Sequence, residues 1–127
     1  MVIRTKGLAT SPGDPDYDGL AYVYCVDESG YCLSLCRMPD WELVEVMVRD
    51  QINRKTREVA VELSRDVLRV GISPAVAAQL DGVTEYMVPL DATEVELHDL
   101  DAALSVIFEG GQRGQYDSRL DHLGDHN

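Results

Sequence analysis

Only a few side chains in the sequence are of the types that perform acid–base or nucleophilic chemistry at neutral pH. The histidines are His98, His122 and His126. Ser34 and Cys36 would share one face of a predicted strand, where His98 could serve as the base for a nucleophile. No G-x-S-x-G turn, the usual means of exposing a nucleophile, surrounds them. We therefore interpret Ser34 and Cys36 as small strand residues and predict no catalytic residues and no enzymatic activity.

The C-terminal stretch contains a pattern with metal-ligand spacing. Asp121-His122 and Asp125-His126 repeat at a four-residue step, which on a helix aligns two imidazoles and two carboxylates for a divalent ion. Gly124 opposes such a helix, so we interpret the stretch as a solvated tail and predict no metal site. The glycine-rich residues 110–114 follow a predicted helix, whereas a phosphate-binding loop precedes one. We predict no cofactor.

Cys25, Cys32 and Cys36 are separated by seven and four residues, a spacing typical of neither a disulfide framework nor a structural zinc site. We predict a hairpin in which Val26 pairs with Tyr31, so that Cys25 lies opposite Cys32. Cys36 would then lie about 13 Å along its strand from Cys32, too far for all three thiols to bind one metal. Two interpretations stay open: a disulfide between Cys25 and Cys32, or reduced thiols that pack as small hydrophobic residues, the more common use in cytosolic proteins.

Acidic residues outnumber basic residues by 23 to 11, which gives a formal net charge of −12. A field of this sign repels nucleic acid and acidic membranes and attracts a basic partner. Many of the carboxylates fall in predicted loops and around the start of the last helix. They are Asp14, Asp16, Asp18, Asp27, Glu28, Asp40, Glu42, Asp91, Glu94, Glu96, Asp99 and Asp101. We predict no direct binding to nucleic acid or membrane; these carboxylates either face a basic partner or form a solvated acidic surface.

Glu45 lies within the most apolar predicted strand, residues 41–49. One face of that strand would carry Val44, Val46 and Val48, and the other would carry Trp41, Leu43, Glu45 and Met47. Because both sets are largely apolar, we predict a central strand that is covered on both faces. Glu45 would then either reach water or pair with an arginine at the edge of that face, or have a functional role.

The chain of 127 residues has the size of a single domain. No apolar run is long enough for a transmembrane helix, and the first residues do not resemble a signal peptide, so we expect a cytoplasmic protein. We divide the domain into an extended N-terminal segment (1–19), a folded core (20–110) and a mobile tail (111–127). The oligomeric state stays open, including a dimer through residues 83–90.

Hydrophobic periodicity and turn residues predict an α+β fold. Hairpins are predicted over 20–37 and 57–72, with a central strand at 41–49, a polar connection at 51–56 and a strand at 83–90. Ser73-Pro74 predicts a short helix that ends before Gly82. The last helix ends at Gly110. It begins either with a capping box, formed by Asp91 and Glu94 or by Thr93 and Glu96, or near Asp99 if residues 93–97 continue a strand. We therefore expect a largely antiparallel sheet of about five to six strands, with this helix packed on one face.

Three blocks of the sequence share their order and spacing with a known family. They are Leu43-Val-Glu45-Val-Met-Val-Arg-Asp50-Gln51, Val59-Ala-Val-Glu-Leu-Ser-Arg65-Asp66-Val-Leu68-Arg-Val70 and Leu100-Asp-Ala-Ala-Leu104-Ser-Val-Ile107-Phe108-Glu-Gly110. These blocks resemble the immunity protein 10 family of bacterial polymorphic toxin systems. The resemblance covers residues 31–110, about two thirds of the chain. Within it, Cys36 stands where the family has Gln.

The resemblance implies a cytoplasmic protein, encoded beside a secreted or contact-delivered toxin, that binds and blocks the toxin domain. The acidic charge suits a toxin with a basic cleft, such as a nuclease. The family-like block points to Glu45, Asp50 and Gln51 as partner-binding residues, and we add Trp41 as an aromatic anchor. Asp40 and Glu42 would form a charged rim beside Trp41. The alternative is a small acidic regulatory or adaptor domain that binds a basic cytoplasmic protein.

Overall fold

The computed structural model describes residues 1–49, 51–110 and 114–120. Within these ranges the protein has an α+β fold with two β-sheets and two α-helices. The elements in chain order are β1 (Thr5–Asp14), β2 (Leu20–Asp27), β3 (Cys32–Arg37), β4 (Val44–Val48), β5 (Ile52–Thr56), β6 (Val59–Leu63), β7 (Val67–Ile72), α1 (Pro74–Gln79), β8 (Glu85–Pro89), α2 (Glu94–Ile107) and β9 (Gln115–Ser118). No helix in the described ranges is long and apolar enough to cross a lipid bilayer.

The first sheet is an antiparallel meander of β1 to β5 in chain order. Its register places Val23 beside Leu35 and Leu35 beside Val46, so alternate aliphatic side chains project to one side. We call this side the inner face. Its apolar residues, all of which belong to the hydrophobic core or pack against it, are Leu8, Ala21, Val23, Cys25, Leu33, Leu35, Val44, Val46, Val48 and Ile52.

The second sheet has the order β8-β7-β6-β9, in which β9 runs parallel to β6. Alternate residues of β6, β7 and β8 are buried and join the same core as the inner face of the first sheet. At the outer edge of β8, the Ile3 N–H donates to the Met87 carbonyl at 2.8 Å, and the Met87 N–H donates to the Met1 carbonyl at 2.8 Å. The start of the chain therefore covers part of this edge.

Helix α2 closes the core against β1 and β2. Its capping box uses Thr93 and Glu96: the Glu96 N–H donates to Thr93 Oγ1 at 3.2 Å, and the Thr93 N–H donates to Glu96 Oε1 at 2.9 Å. The second of the two predicted capping boxes is therefore confirmed. An N-cap of this kind contributes about 1 kcal/mol to the stability of the protein. The buried stripe of the helix consists of Leu97, Leu100, Ala103, Leu104 and Ile107.

A polar cluster links the two sheets at the β2–β3 end. The Tyr31 hydroxyl donates to Asp81 Oδ2 at 3.0 Å and lies 3.0 Å from the Tyr86 hydroxyl. Arg49 forms an ion pair with the same carboxylate at 3.4 Å. Burial raises the pKa of Tyr31 and of Tyr86, so both phenols stay protonated at neutral pH. The cluster therefore satisfies polar groups between the sheets with one carboxylate and one exposed arginine.

Several predicted elements are confirmed, and the α+β class holds. The β2–β3 and β6–β7 hairpins form, as does α1, whose N-cap Ser73 accepts from the Val76 N–H. The five-stranded antiparallel sheet agrees with the predicted sheet of about five to six strands, and the described residues add a second, four-stranded sheet that was not predicted. Residues 51–56, predicted as a polar connection, form the edge strand β5 instead, since Ile52 and Thr56 pair with the buried Val48 and Val44.

The predicted register of the β2–β3 hairpin is wrong by one residue. Val26 pairs with Cys32 and Cys25 pairs with Leu33, because Asp27 rather than Val26 faces Tyr31. The Asp27 carboxylate accepts from the N–H groups of Ser29 and Tyr31, and this turn sets the pairing. A shift of one residue moves Cys32 to the opposite face of the sheet from Cys25. The disulfide interpretation therefore fails, and all three cysteines are free and buried.

Folded structure extends beyond both ends of the predicted core, residues 20–110. The segment predicted as extended, 1–19, contains β1, and Ile3 is fully buried. Beyond residue 110, β9 pairs with β6, where Gly114 has φ +101° and a Cβ there would lie 2.5 Å from the Val59 carbonyl oxygen. The repeated Asp-His pairs of residues 121–126, for which we predict no metal site, lie outside the described residues.

Candidate functional site

The second face of the five-stranded sheet carries Glu45, one of the residues predicted to bind a partner, and Trp41 lies in the connection beside it. Tyr22 lies beside Cys36, Cys36 beside Glu45, and Glu45 beside Lys55. No apolar side chain of this face belongs to the core cluster. We call it the open face, and its residues are Ala9, Ser11, Tyr22, Tyr24, Val26, Cys32, Ser34, Cys36, Glu45, Met47, Asn53 and Lys55.

The predicted double covering of the central strand is wrong. β4 does lie between β3 and β5, but the core packs only against its valines, while Glu45 and Met47 are half-buried. The prediction rested on Trp41, Leu43 and Met47, which are apolar enough for a core. On the same face, Ser34 and Cys36 of the neighbouring strand β3 are less than one tenth exposed.

Trp41 sits at the entrance to β4 with its ring against β5. The Lys55 ammonium lies 3.6 Å from the centroid of the Trp41 ring, which is a cation–π contact. Lys55 is also the direct cross-strand partner of Glu45. Trp41, Lys55 and Glu45 therefore form one charged and aromatic group on the open face.

Arg37 holds the loop that carries Trp41. Its buried guanidinium, 4 % exposed, donates to the carbonyl oxygens of Met38, Pro39 and Trp41 at 3.1–3.3 Å. It also donates to the carbonyls of Val106 and Ile107 at 2.8 and 2.9 Å. Those two carbonyls belong to the last turn of α2, where the helix dipole favours a cation. One arginine thus fixes the Trp41 loop to the end of the helix.

The predicted rim residues Asp40 and Glu42 are exposed on the same loop. Glu42 pairs with Arg57 at 3.8 Å, an exposed contact that adds little stability. A Cβ at Gly19 would lie 3.2 Å from Pro39 Cγ, so the β1–β2 and β3–β4 connections touch. The acidic residues of these two connections lie at one end of the sheet: Asp14, Asp16, Asp18, Asp40 and Glu42.

Gln51 does not join the other predicted partner-binding residues. It is exposed in the turn between β4 and β5, at the opposite end of those strands from Trp41. About four strand positions separate it from the Glu45–Lys55 pair, roughly 13 Å. Asp50 lies outside the described residues. The structure therefore brings together Trp41, Glu45, Asp40 and Glu42.

The nucleophile arrangement considered from the sequence does not form. Ser34 and Cys36 lie on the open face, whereas α2, which carries the exposed His98, packs on the inner side of the sheet. Cys36 Sγ lies 3.5 Å from Glu45 Oε1 and donates to it. Burial, with the nearby Glu45 carboxylate, raises the pKa of the Cys36 thiol to about 12. Cys36 is therefore a protonated thiol at neutral pH and a poor nucleophile.

Sequence reasoning missed Tyr22, Tyr24 and Lys55 as parts of this surface, and it missed the buried Arg37 as the anchor of the Trp41 loop. The alternation of tyrosines with Ala21, Val23 and Cys25 in β2 indicates that the two sets lie on different faces. The small apolar residues suit the core, whereas a tyrosine can keep its hydroxyl in water. Lys55 was missed because β5 was read as a connection. Arg37 has no local signal, because its acceptors on α2 lie about seventy residues further along the chain.

Comparison with protein-family models, with curated proteins and with solved structures finds no match to this chain.

Proposed function

We propose that the protein is an immunity protein that binds a cognate bacterial toxin and blocks its toxin domain. The resemblance of residues 31–110 to the immunity protein 10 family motivates this proposal. The observation that supports it best is the open face, where Trp41 and Glu45 lie on a rigid antiparallel sheet beside the exposed Asp40 and Glu42. A fixed surface of this kind binds a partner with little loss of conformational freedom.

Neutralisation by this protein needs no chemistry of its own. The partner docks its toxin domain on the open face, and the bulk of the sheet excludes the toxin's substrate. Trp41 supplies the aromatic anchor, since tryptophan is among the residues that contribute most to protein interfaces. Preorganisation by Arg37 keeps Trp41 in place before the partner arrives.

The charge distribution supports a basic partner. The net charge is −12, and five carboxylates gather in the two connections at the Trp41 end of the sheet. Opposite charges on two proteins accelerate their encounter and disfavour wrong partners. A toxin that acts on nucleic acid carries a basic cleft, so such a nuclease is the partner class we favour, with both proteins meeting in the cytoplasm.

Co-expression tests the proposal directly. The product of the adjacent upstream gene is induced alone and together with this protein, and growth and co-purification are scored. We expect toxicity from the neighbour alone, and rescue with a stable complex when both are present. A toxic neighbour that is neither rescued nor bound by the folded protein would contradict the pairing.

A regulatory or adaptor domain is the second candidate, because the same acidic end would also attract a basic cytoplasmic protein other than a toxin. Gene neighbourhood separates the two candidates. A toxin or secretion gene immediately upstream favours immunity, whereas a metabolic operon favours the adaptor.

A further inference from the structure

The Trp41 ring already holds a cation that belongs to the protein itself. Lys55 Nζ lies 3.6 Å from the ring centroid, at the end of a long and exposed side chain on the edge strand β5. Exposed contacts of this type contribute only about 0.5–1 kcal/mol. The ammonium is therefore a weakly held occupant that a better cation from outside can displace.

Glu45 supplies the negative charge beside this ring. It faces Lys55 directly across the β4–β5 pair, where opposite Cβ atoms lie about 5 Å apart. Its carboxylate accepts from the Cys36 thiol, a weak donor, and takes part in none of the ion pairs found among the described residues. A half-buried carboxylate with only a thiol donor has acceptor capacity left for a charged one.

We propose that Trp41 and Glu45 form a binding subsite for an arginine side chain of the partner, and that Lys55 occupies this subsite in the free protein. This inference rests on the partner-binding role of the open face proposed above. An arginine suits the subsite better than a lysine. Its planar guanidinium stacks on an aromatic ring, donates in a fork to a carboxylate and is less strongly hydrated than an ammonium.

The strand edges of the sheet favour docking on the face rather than beside it. β1 is interrupted by irregular pairing between Thr5 and Gly7 and between Ser11 and Asp14, and β5 carries Arg54 and Lys55 at the opposite edge. Irregularities and charges of this kind discourage the addition of another strand. An incoming arginine therefore meets the subsite from above the open face, next to the acidic residues Asp40 and Glu42.

The test uses the full chain and a hexa-arginine peptide as the probe. Trp41 is the one tryptophan in the sequence, so its fluorescence reports binding at the subsite. Lys55→Met removes the internal cation and keeps an unbranched apolar side chain. Lys6→Met is the matched control, because it removes one exposed lysine that lies on β1, away from Trp41.

We expect Lys55→Met to bind the peptide about threefold more tightly than Lys6→Met does, the gain expected from freeing a cation–π site. Adding Glu45→Gln to Lys55→Met should reverse this gain, and hexa-lysine should bind Lys55→Met at least twofold more weakly than hexa-arginine. Equal affinities of Lys55→Met and Lys6→Met, or no effect of Glu45→Gln, would overturn the subsite. Equal binding of the two peptides would overturn its assignment to arginine.

Thermal unfolding of each variant shows that the compared proteins are folded. The peptide assay contains no toxin, so its failure is separate from a failure of co-expression rescue. If the wild-type protein failed to rescue growth in co-expression but the variants bound hexa-arginine as expected, the toxin would be rejected as partner and the arginine subsite would remain.

Discussion

The two faces of the five-stranded sheet alternate along the same strands but differ in chemistry. In β2 the inner residues Val23 and Cys25 are almost fully buried, whereas Tyr22 and Tyr24 on the open face are partly exposed. The inner face is aliphatic and joins the core, while the open face mixes aromatic, polar and charged groups. One face therefore supplies folding free energy, whereas the other leaves aromatic and charged groups partly in contact with water.

Truncating a matched residue on each face should show the largest difference in stability between them. Leu35 is 1 % exposed on the inner face of β3, and Met47 is half-buried on the open face of β4. Leu35→Ala should lower the free energy of unfolding by about 2–5 kcal/mol, because it leaves a cavity. Met47→Ala should cost about 1 kcal/mol or less, because its side chain already meets water. Urea unfolding of both variants checks this, and equal losses would show that the open face is part of the core.

A second change tests the link between the core and the open face. Arg37→Lys keeps the charge but cannot donate to all five carbonyls that the guanidinium reaches. We expect a loss of about 2 kcal/mol in unfolding free energy, since buried carbonyls lose their donors. The native Trp41 emission should also shift to longer wavelength as its loop loosens.

Leu35→Ala is the control for this shift, because it destabilises the core without touching the Trp41 loop. A red shift of equal size in both variants, measured in the folded state, would contradict a specific positioning role for Arg37.

The buried thiols on the two faces make the stability of the protein depend on pH. Burial alone raises the pKa of Cys25 on the inner face to about 12, whereas burial and the Glu45 carboxylate together raise that of Cys36 to about 12. In the unfolded chain each thiol ionises near pH 9.0, whereas in the native state it stays protonated up to about pH 12. The free energy of unfolding is therefore unaffected by each thiol below pH 9.0 and decreases as the pH rises from 9.0 towards 12.

From pH 8 to pH 10, each thiol should therefore cost the native state about 1.4 kcal/mol. Cys36→Ser removes one of the two contributions, so its stability should fall by about 1.4 kcal/mol less than that of the wild type over this interval. Urea unfolding at both pH values measures the difference. The same loss in both proteins would mean that Cys36 is not protected from ionisation.

The smallest effect on stability is expected at the rim of the open face. Asp40 and Glu42 are both exposed, so changing both to Lys should alter the unfolding free energy by about 0.5 kcal/mol or less. The same double change should slow association with the cognate toxin and flatten its dependence on salt. Stopped-flow mixing at several salt concentrations measures both, and an unchanged association rate would remove these residues from the encounter surface.

Local patterns in the sequence predicted most of the secondary structure. The β6–β7 hairpin and α1 follow from strict alternation and from the Ser73-Pro74 cap, and both signals are local. β1 and β5 were not predicted as strands because edge strands need few apolar residues. β1 contains Pro12 and two glycines, and β5 has only Ile52 and Thr56 facing the core.

Long-range features could not be read from the sequence. The pairing of β9 with β6 depends on Gly114 fitting against Val59, fifty-five residues earlier in the chain. The one-residue register error came from Asp27, whose carboxylate accepts from the N–H groups of Ser29 and Tyr31 and so closes a turn in which Asp27, not Val26, faces Tyr31. The candidate site was predicted in part: alternation placed Trp41 and Glu45 on one face, but the cation on the Trp41 ring and the Arg37 anchor arise only from folding.

Two double variants, each co-expressed with the cognate toxin, show whether toxin binding uses the open face. Trp41→Ala with Glu45→Lys changes the open face. Val95→Ala with Glu85→Lys makes an apolar truncation and the same charge reversal at two exposed positions on α2 and β8, away from it. With both variants folded, we predict that the open-face variant loses rescue and co-purification, whereas the control keeps both. Rescue by the open-face variant at wild-type level would contradict the assignment of this face to toxin binding.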